Sequence, residues 1–426
     1  MPVKQEVLTN GTVLITEPIA SSKIVAIGFW FFVGSRNETV AERGICHFVE
    51  HMLFKGTKTR TSYDIACGFD KIGGNVNAFT ERECVCVHCV VPAQFLNDAL
   101  AILIDMTENS LFDSEEIEKE RAVIESEIIS ALDDPEEAAL DAVFETLWKD
   151  RFLAQSISGS VKEIRNLTRE KLFSWYKKYI ASGKLLVTLS GNFSHENVIN
   201  QLQTMSFRKN HPQIVSLPFN DNWQSGLHFL RGDFQQEQVF LVYPLEEKLN
   251  SRQLILLGIL NALLGDTMSS RLFQRLREKG AYCYNVYSYF FTFFDYGFWC
   301  FYASSSLKNL PRLIADLTDE VDAVLKTGFT TEELESAKQH YLGEEIIFSE
   351  DMEQKMKRLA RTYFSDNEQL SLEELENIVK NITLDEVFSF YKTCIKEKQK
   401  ALVVYGSKIP KKMITTIKKN WSCYNE

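Results

Sequence analysis

The stretch LTREKLFSWYKKY at residues 167–179 is matched by ITLDEVFSFYKTC at residues 382–394. The second residue of both copies is a threonine that can cap a helix, and both carry aromatic residues at helical spacing. Two further pairs of segments repeat at about the same offset, roughly 215 residues along the chain. They are FDSEEIE at 112–118 with FTTEELE at 329–335, and LLVTLSG at 185–191 with ALVVYG at 401–406.

This duplication predicts two copies of one fold, which the length of 426 residues accommodates. Each half mixes apolar strand segments with amphipathic helices. We therefore predict an α+β protein made of two homologous α/β-sandwich domains. The N-terminal domain is expected at residues 1–210 and the C-terminal domain at 226–426. The stretch at 211–225 is rich in helix and strand breakers, which is typical of a linker.

The composition excludes several classes of partner. The formal net charge of -11 argues against nucleic acid, since binding to phosphates needs a basic surface. The most apolar runs, residues 24–33 and 254–264, fall short of the ~20 residues that span a bilayer. The first residues also lack the cationic start and apolar core of a signal peptide. We therefore expect a cytoplasmic protein with no membrane partner.

One cysteine-rich segment is open to two structural interpretations. Cys84, Cys86 and His88 lie in a C-V-C-V-H run, which a metal knuckle or a buried strand would both explain. The strict alternation sends the three side chains to one face of a strand. Tetrahedral sites usually take ligands from turns with C-x2-4-C spacing, so the pattern favours a strand.

The segment GICHFVEHMLF at residues 44–54 has apolar positions that suit a helix. His47 and His51 are four residues apart and project from one face, with Glu50 as their neighbour. Two neutral imidazoles suit Zn2+, and a carboxylate beside an open coordination position can accept a proton from water. H-x-x-E-H is the inverzincin pattern. Two surface histidines on an amphipathic helix are the alternative.

A catalytic zinc ion normally has three protein ligands, so a third is needed. The acidic helix predicted from Ser114 to about Leu132 contains Glu120 and Glu127, which lie two turns apart on one face. A solvated helix face is the alternative explanation for this charge. A structural zinc would normally have four protein ligands, so three ligands and an adjacent base favour catalysis.

Four motifs lie in order along the chain: GICHFVEHMLFKGT (44–57), FDKIGGNVNAFT (69–80), EKERAVIESEI (118–128) and SRLFQRLREKGAYCYNVY (270–287). In sequence and order they resemble those of the pitrilysin/insulinase family of zinc metallopeptidases, and the resemblance covers essentially the whole chain. It is closest to the short members that resemble the β-subunit of mitochondrial processing peptidase and its bacterial homologues. This resemblance implies a LuxS/metallopeptidase-like fold, half of a clamshell per chain and one Zn2+ per chain.

The resemblance also implies roles for the residues of the metal site. By position, His47, His51 and Glu127 match the family's metal ligands, and Glu50 matches its general base. Glu120 matches a second carboxylate that can orient a ligating histidine.

Two further groups match the parts of the family that bind substrate. Arg277 and Tyr284 match a pair that holds substrate and supports the tetrahedral intermediate. Tyr282 is an alternative to Tyr284 because this chain has two tyrosines there. A strand edge matches the segment that binds the substrate backbone by β-augmentation, with core packing as the alternative for its phenylalanine. Its residues are Asn77, Ala78 and Phe79.

We therefore predict a zinc-dependent endopeptidase that hydrolyses peptides or unfolded segments inside an enclosed chamber. The resemblance implies a homodimer, or a heterodimer with a related chain, in which the arginine and tyrosine reach the zinc site of the opposite chain. A non-proteolytic scaffold or a peptide-binding subunit of the same fold is the alternative. In the second half, Leu264 and Met268 stand where the histidine pair would fall, so that domain is expected to be metal-free.

Overall fold

The computed structural model describes residues 3–148, 152–206, 208, 223–245, 247–396 and 399–422. Most of the predicted linker, residues 211–222, lies outside the described residues. The strands are β1 Lys4–Val7, β2 Val13–Pro18, β3 Ile24–Phe31, β4 Asn75–Thr80, β5 Val85–Pro92, β6 Leu185–Gly191, β7 Gly226–Arg231, β8 Glu237–Leu245, β9 Cys283–Thr292, β10 Gly297–Ser305 and β11 Ala401–Gly406.

The α-helices alternate with the strands along both halves of the chain. In the described part of the chain, π-helical segments extend the helical regions at Lys177–Ala181, Ala262–Asp266 and Phe273–Lys279. The helices are α1 Ile45–Met52, α2 Ser62–Lys71, α3 Leu96–Asn109, α4 Ser114–Asp133, α5 Pro135–Leu147, α6 Val161–Arg165, α7 Arg169–Tyr176, α8 His195–Leu202, α9 Ser251–Asn261, α10 Leu310–Thr327, α11 Thr331–Glu350, α12 Met352–Phe364, α13 Leu372–Lys380, α14 Leu384–Cys394 and α15 Lys411–Ser422.

The strands form two mixed sheets of similar topology. The first has the order β1-β2-β6-β3-β5-β4, and the second has the order β7-β11-β8-β10-β9. In the first sheet β2 and β6 pair in parallel, and in the second β7 and β11 do so. The remaining neighbours are antiparallel. This correspondence confirms that the duplicated segments belong to two copies of one fold.

The chain divides into two compact units, each built around one sheet. The unit of the first sheet includes α12 from the second half of the sequence, and the unit of the second sheet includes α5 from the first half. The domain boundaries at 1–210 and 226–426 follow the duplication and stay a prediction. The first unit is Met1–Asp133, Gln155–Val215 and Phe348–Gln369; the second is Asp134–Ala154, Ser216–Ile347 and Leu370–Glu426.

In the first unit, helices cover both faces of the sheet. The central strand β3 alternates between the two faces, which explains its continuous apolar sequence IVAIGFWF. Val25, Ile27 and Phe29 join a cluster with residues of α1, α3, α4 and α7. Ala26 and Trp30 face the opposite side, where the cluster includes residues of α12. This arrangement packs α1 and α4 onto the same face of the sheet, which positions the candidate site.

The second unit has the same layers. Along β8, Leu241 and Tyr243 join a cluster with residues of α9, α10, α11 and α14. Phe240 and Val242 face the other way, toward α5. The α/β-sandwich prediction is therefore confirmed for both units. Among the described residues, no helix is long and apolar enough to cross a membrane.

Candidate active site

The start of helix α1 is held by a buried carboxylate. Oε2 of Glu38 accepts a hydrogen bond from the Gly44 amide and Oε1 accepts one from the Cys46 amide, both at 2.8 Å. Burial raises the pKa of Glu38 to about 8, although these two bonds act in the opposite direction. Gly44 has φ 81°, and a Cβ there would lie 2.7 Å from the carbonyl oxygen of Ser158, so glycine is required. The first turn of the helix is therefore fixed.

One turn further along α1, the two histidines converge with a carboxylate of α4. The ring centroids of His47 and His51 are 4.7 Å apart. Oε2 of Glu127 lies 3.4 Å from Nε2 of His51 and 3.9 Å from Nε2 of His47. One ligand atom from each residue lies within 4.8 Å of the other two. The structure thus brings together the three residues predicted to bind the metal.

The chemistry of this cluster fits a zinc ion. Burial and, to a smaller extent, the neighbouring His51 lower the pKa of His47 to about 4, so the imidazole is neutral and can donate a lone pair near pH 7. The side chain of Glu127 is 48% exposed, which leaves the cluster open on one side. Two imidazoles and one carboxylate are a donor set of catalytic zinc sites that keep a fourth position free.

Glu120 lies behind the ligands, as predicted. It is buried, and its Oε2 lies 3.0 Å from Nδ1 of His51. Lys55 places its Nζ 2.5 Å from the other oxygen, Oε1. When His51 donates its Nδ1 proton to this carboxylate, the lone pair of Nε2 is directed toward Glu127 and the metal position.

Glu50 lies beside the cluster, where it interacts electrostatically with His51 and Glu127. Its side chain is buried, and burial raises its pKa, while a hydrogen bond from Thr80 acts in the opposite direction. Oγ1 of Thr80 donates to Oε2 of Glu50 at 2.5 Å. No other hydrogen bond to this carboxylate is formed by the described part of the chain, so Oε1 is available to accept a proton.

The predicted substrate strand is β4, which forms one edge of the first sheet. Asn77 is exposed, and its own Oδ1 accepts a hydrogen bond from the Ala78 amide at 2.9 Å. A peptide that adds to this edge must displace that contact. The Phe79 ring packs at 5.6 Å on Trp30, so it contributes to the core; a role in substrate contact stays a prediction.

Arg277 and Tyr284 lie together in the second unit. Cζ of Arg277 lies 4.4 Å from the centroid of the Tyr284 ring, and both residues line a cavity of about 360 Å³. Tyr284 is 71% exposed, and no described residue forms a hydrogen bond to its hydroxyl. Tyr282 instead bonds to Asp316, which raises its pKa. The structure therefore favours Tyr284 over Tyr282 as the residue with a free phenol.

The alternating C-V-C-V-H run begins at Cys84, immediately before strand β5, and continues into that strand. Cys84, Cys86 and His88 are buried, and burial raises the pKa of Cys86. Within the described residues, the groups whose geometry suits a metal ion do not include these side chains. The strand interpretation is therefore confirmed.

Three residues of the site were not predicted from the sequence: Glu38, Lys55 and Thr80. Lys55 is four residues after His51, but α1 ends at Met52, so helical spacing does not predict that Lys55 lies beside the site. Glu38 is six residues before Gly44, outside the spacing of a capping box. Thr80 reaches Glu50 from a different element, which no local spacing indicates.

Comparison with known proteins gives the same family for both halves. Residues 13–161 match the family described as insulinase (peptidase family M16), and residues 166–341 match the peptidase M16 inactive domain. An uncharacterized zinc protease of Streptomyces coelicolor is 31% identical in an alignment 394 residues long that covers 90% of this chain and 85% of that protein. One from Rickettsia felis is 32% identical over 383 residues, covering 90% and 92%.

Solved structures show the same fold. A protease from Helicobacter pylori superposes with a TM-score of 0.85 at 19% identity, covering 95% of this chain and 99% of that one. A peptidase M16 inactive domain from Pseudomonas fluorescens gives a TM-score of 0.85 at 16% identity, covering 96% and 99%. With both halves matched and relatives aligned over nearly their full length, this chain belongs to the insulinase family of peptidases, peptidase family M16.

Proposed function

We propose that this chain is a zinc-dependent endopeptidase that hydrolyses peptides or unfolded segments. The observation that carries the proposal is the convergence of His47, His51 and Glu127, whose ligand atoms lie within 4.8 Å of one another. Glu50 lies next to them with one carboxylate oxygen free to accept a proton. Membership of a peptidase family, with relatives named zinc proteases, supports the same conclusion.

His47, His51 and Glu127 would hold the ion, and the protein's other residues set the conditions for the reaction. When bound, zinc supplies Lewis-acid chemistry that polarises a peptide carbonyl and makes water more acidic. Glu50 accepts a proton from the attacking water and delivers it to the leaving amine. Thr80 fixes the orientation of that carboxylate, and Glu120 holds the His51 ring in place. The pathway contains no covalent intermediate with the protein.

The substrate backbone would add to the free edge of β4. Because this recognition uses main-chain hydrogen bonds, it accepts an extended peptide of varied sequence and rejects a folded domain. Twelve carboxylates and two basic residues, Lys119 and Arg121, lie between Asp113 and Asp141. This negative charge, continuous with the ligand helix α4, favours peptides with cationic side chains.

The active form would be a dimer with an enclosed chamber, formed by two copies or by this chain and a related one. Arg277 and Tyr284 would contact the tetrahedral intermediate at the zinc site of the opposite chain. The exposure of Tyr284 and its free hydroxyl support this role. Mixing Glu50→Gln chains with Tyr284→Phe chains tests it, since a mixed dimer has one intact composite site. Recovered hydrolysis supports the shared site, and no recovery despite chain exchange contradicts it.

Metal removal and reconstitution test the peptidase assignment. Purified protein, treated with a chelator and then supplied with one equivalent of Zn2+, should regain cleavage of a quenched-fluorescent peptide about ten residues long. A variant with His47→Ala and His51→Ala is the matched control and should remain inactive. A wild-type dimer that binds zinc at this site but cleaves no peptide would instead support a scaffold or peptide-binding subunit.

A further inference from the structure

Helix α11 of the second unit repeats helix α4 of the first unit in register. Both begin in the repeated FDSEEIE and FTTEELE segments. Both are followed by an aspartate that caps the next helix, Asp134 before α5 and Asp351 before α12. Each of these aspartates accepts hydrogen bonds from two backbone amides. With the register fixed at both ends, Glu344 on α11 is the counterpart of the ligand Glu127 on α4.

Two other groups that can bind a metal lie beside Glu344. His340 precedes it by one helical turn, and Asp266 ends the π-helical segment that continues α9. One ligand atom from each of these three residues lies within 4.8 Å of the other two, the same limit that the His47 cluster meets. All three residues belong to the second unit.

The nitrogen-to-oxygen distance in the pair His340 and Glu344 equals that in the pair His51 and Glu127. Nε2 of His340 lies 3.4 Å from Oε1 of Glu344, and Nε2 of His51 lies 3.4 Å from Oε2 of Glu127. Nε2 of His340 is enclosed, and no described residue forms a hydrogen bond to it. The His340 side chain is 36% exposed, but this nitrogen itself is shielded from water, and leaving it without a hydrogen-bond partner is costly. A metal ion between the nitrogen and the carboxylates would satisfy it.

We propose that Asp266, His340 and Glu344 form a second metal site, specific for a divalent transition-metal cation such as Zn2+ or Mn2+. One imidazole and two carboxylates form a mixed nitrogen and oxygen donor set that such cations accept and that Mg2+ favours less. Leu264 and Met268 occupy the positions that match the histidine pair and supply no imidazole, which is why the sequence predicts a metal-free second half. Here the imidazole lies instead on the helix that carries the glutamate.

The effect of this site would be structural. The ion would connect the end of the π-helical segment at Asp266 to the middle of α11, two elements that pack around the apolar cluster of the second unit. A ligand that binds only the folded state stabilises it by mass action. We therefore expect the metal to raise the Tm of the protein even when the first site has been removed.

Calorimetric titration of the full-length chain with ZnCl2 tests the proposal. The starting protein carries His47→Ala and His51→Ala, so that binding at the first site is lost. We expect one Zn2+ per chain to bind, with a rise in Tm on saturation. Adding His340→Ala should weaken this binding at least about tenfold, because a ligand is lost. Adding His228→Ala is the matched control, since His228 contacts the Gln224 carbonyl in the same unit, and should leave binding unchanged.

Asp266→Asn provides a second test in case the His340→Ala variant misfolds. Asp266 is exposed, so its replacement does not disturb packing. It should weaken zinc binding while the Tm without metal stays the same. Absence of saturable zinc binding to the His47→Ala, His51→Ala protein would overturn the proposal. Undiminished binding after either His340→Ala or Asp266→Asn would overturn it too, because His340 and Glu344 would then be an ordinary ion pair along one helix.

Discussion

The Nδ1 atom of His51 lies 3.0 Å from Oε2 of Glu120, while Nζ of Lys55 lies 2.5 Å from the other oxygen of the same carboxylate. Glu120 is therefore held from two sides and fixes the ring of His51. Glu120 therefore has a different role from Glu127, which lies two turns later on the same helix. The carboxylate of Glu127 is part of the cluster of ligand atoms with His47 and His51. One carboxylate orients a ligand and the other is expected to be a ligand.

Glu120→Ala should weaken zinc binding by about 10- to 100-fold, the usual effect of losing a partner that orients a ligating histidine. Peptide hydrolysis at saturating zinc should fall less than zinc affinity. Zinc titration against a competing chelator measures the change. Glu118→Ala, on the exposed face of α4, is the control and should bind zinc like the wild type. Equal affinities for both variants would contradict the role of Glu120.

Thr80→Val removes the hydrogen bond to Glu50 while keeping the shape of the side chain. The free carboxylate can then rotate away from the attacking water, so we expect kcat to fall about tenfold, or about 1.4 kcal/mol. Zinc content should not change, because Thr80 contacts no ligand. Thr80→Ser restores the hydroxyl and should restore kcat. A Thr80→Val protein with normal kcat would show that the orientation of Glu50 does not depend on this bond.

Tyr284→Phe should lower kcat by about 10²- to 10³-fold with little effect on KM, because a donor to a developing oxyanion acts only in the transition state. Tyr282→Phe is the control, since the Tyr282 hydroxyl is used by Asp316, and it should retain most of its activity. Steady-state kinetics on one peptide compares the two variants. The reverse order of effects would assign the role to Tyr282.

Glu38 makes folding stability depend on pH. Its pKa is about 8 in the folded protein against 4.5 for the free side chain, so the folded state holds a proton that the unfolded chain releases between these values. The contribution of protonated Glu38 to the free energy of unfolding is therefore complete below pH 4.5. As pH rises toward 8, this contribution falls by about 1.4 kcal/mol per pH unit.

Glu38→Gln should flatten this part of the stability profile, because the amide does not titrate. Urea unfolding of metal-free protein at several values between pH 5 and 8 measures the slope. Glu196→Gln, at an exposed position, should keep the wild-type slope. If Glu38→Gln keeps it as well, the carboxyl is already ionised in the folded state.

The sequence predicted most of the fold because the duplication and the apolar periodicity are properties of the chain itself. It also predicted which residues meet at the metal position. His47 and His51 lie on one face of α1, and together with Glu127 on α4 they match the motifs of the family. The contact of Thr80 with Glu50 depends on how β4 packs against α1, which no spacing along the chain encodes. The sheets that α5 and α12 cover are likewise not encoded locally, because an amphipathic helix does not specify which sheet it packs against.

The most direct test of the account compares wild type with Glu50→Gln for peptide cleavage and for bound zinc. We expect the variant to bind one zinc ion at the His47 site and to lose cleavage by at least about a thousandfold, because the base is absent while the ligands remain. Normal cleavage by Glu50→Gln with zinc bound would contradict the assignment of Glu50 as the general base and, with it, the proposed mechanism.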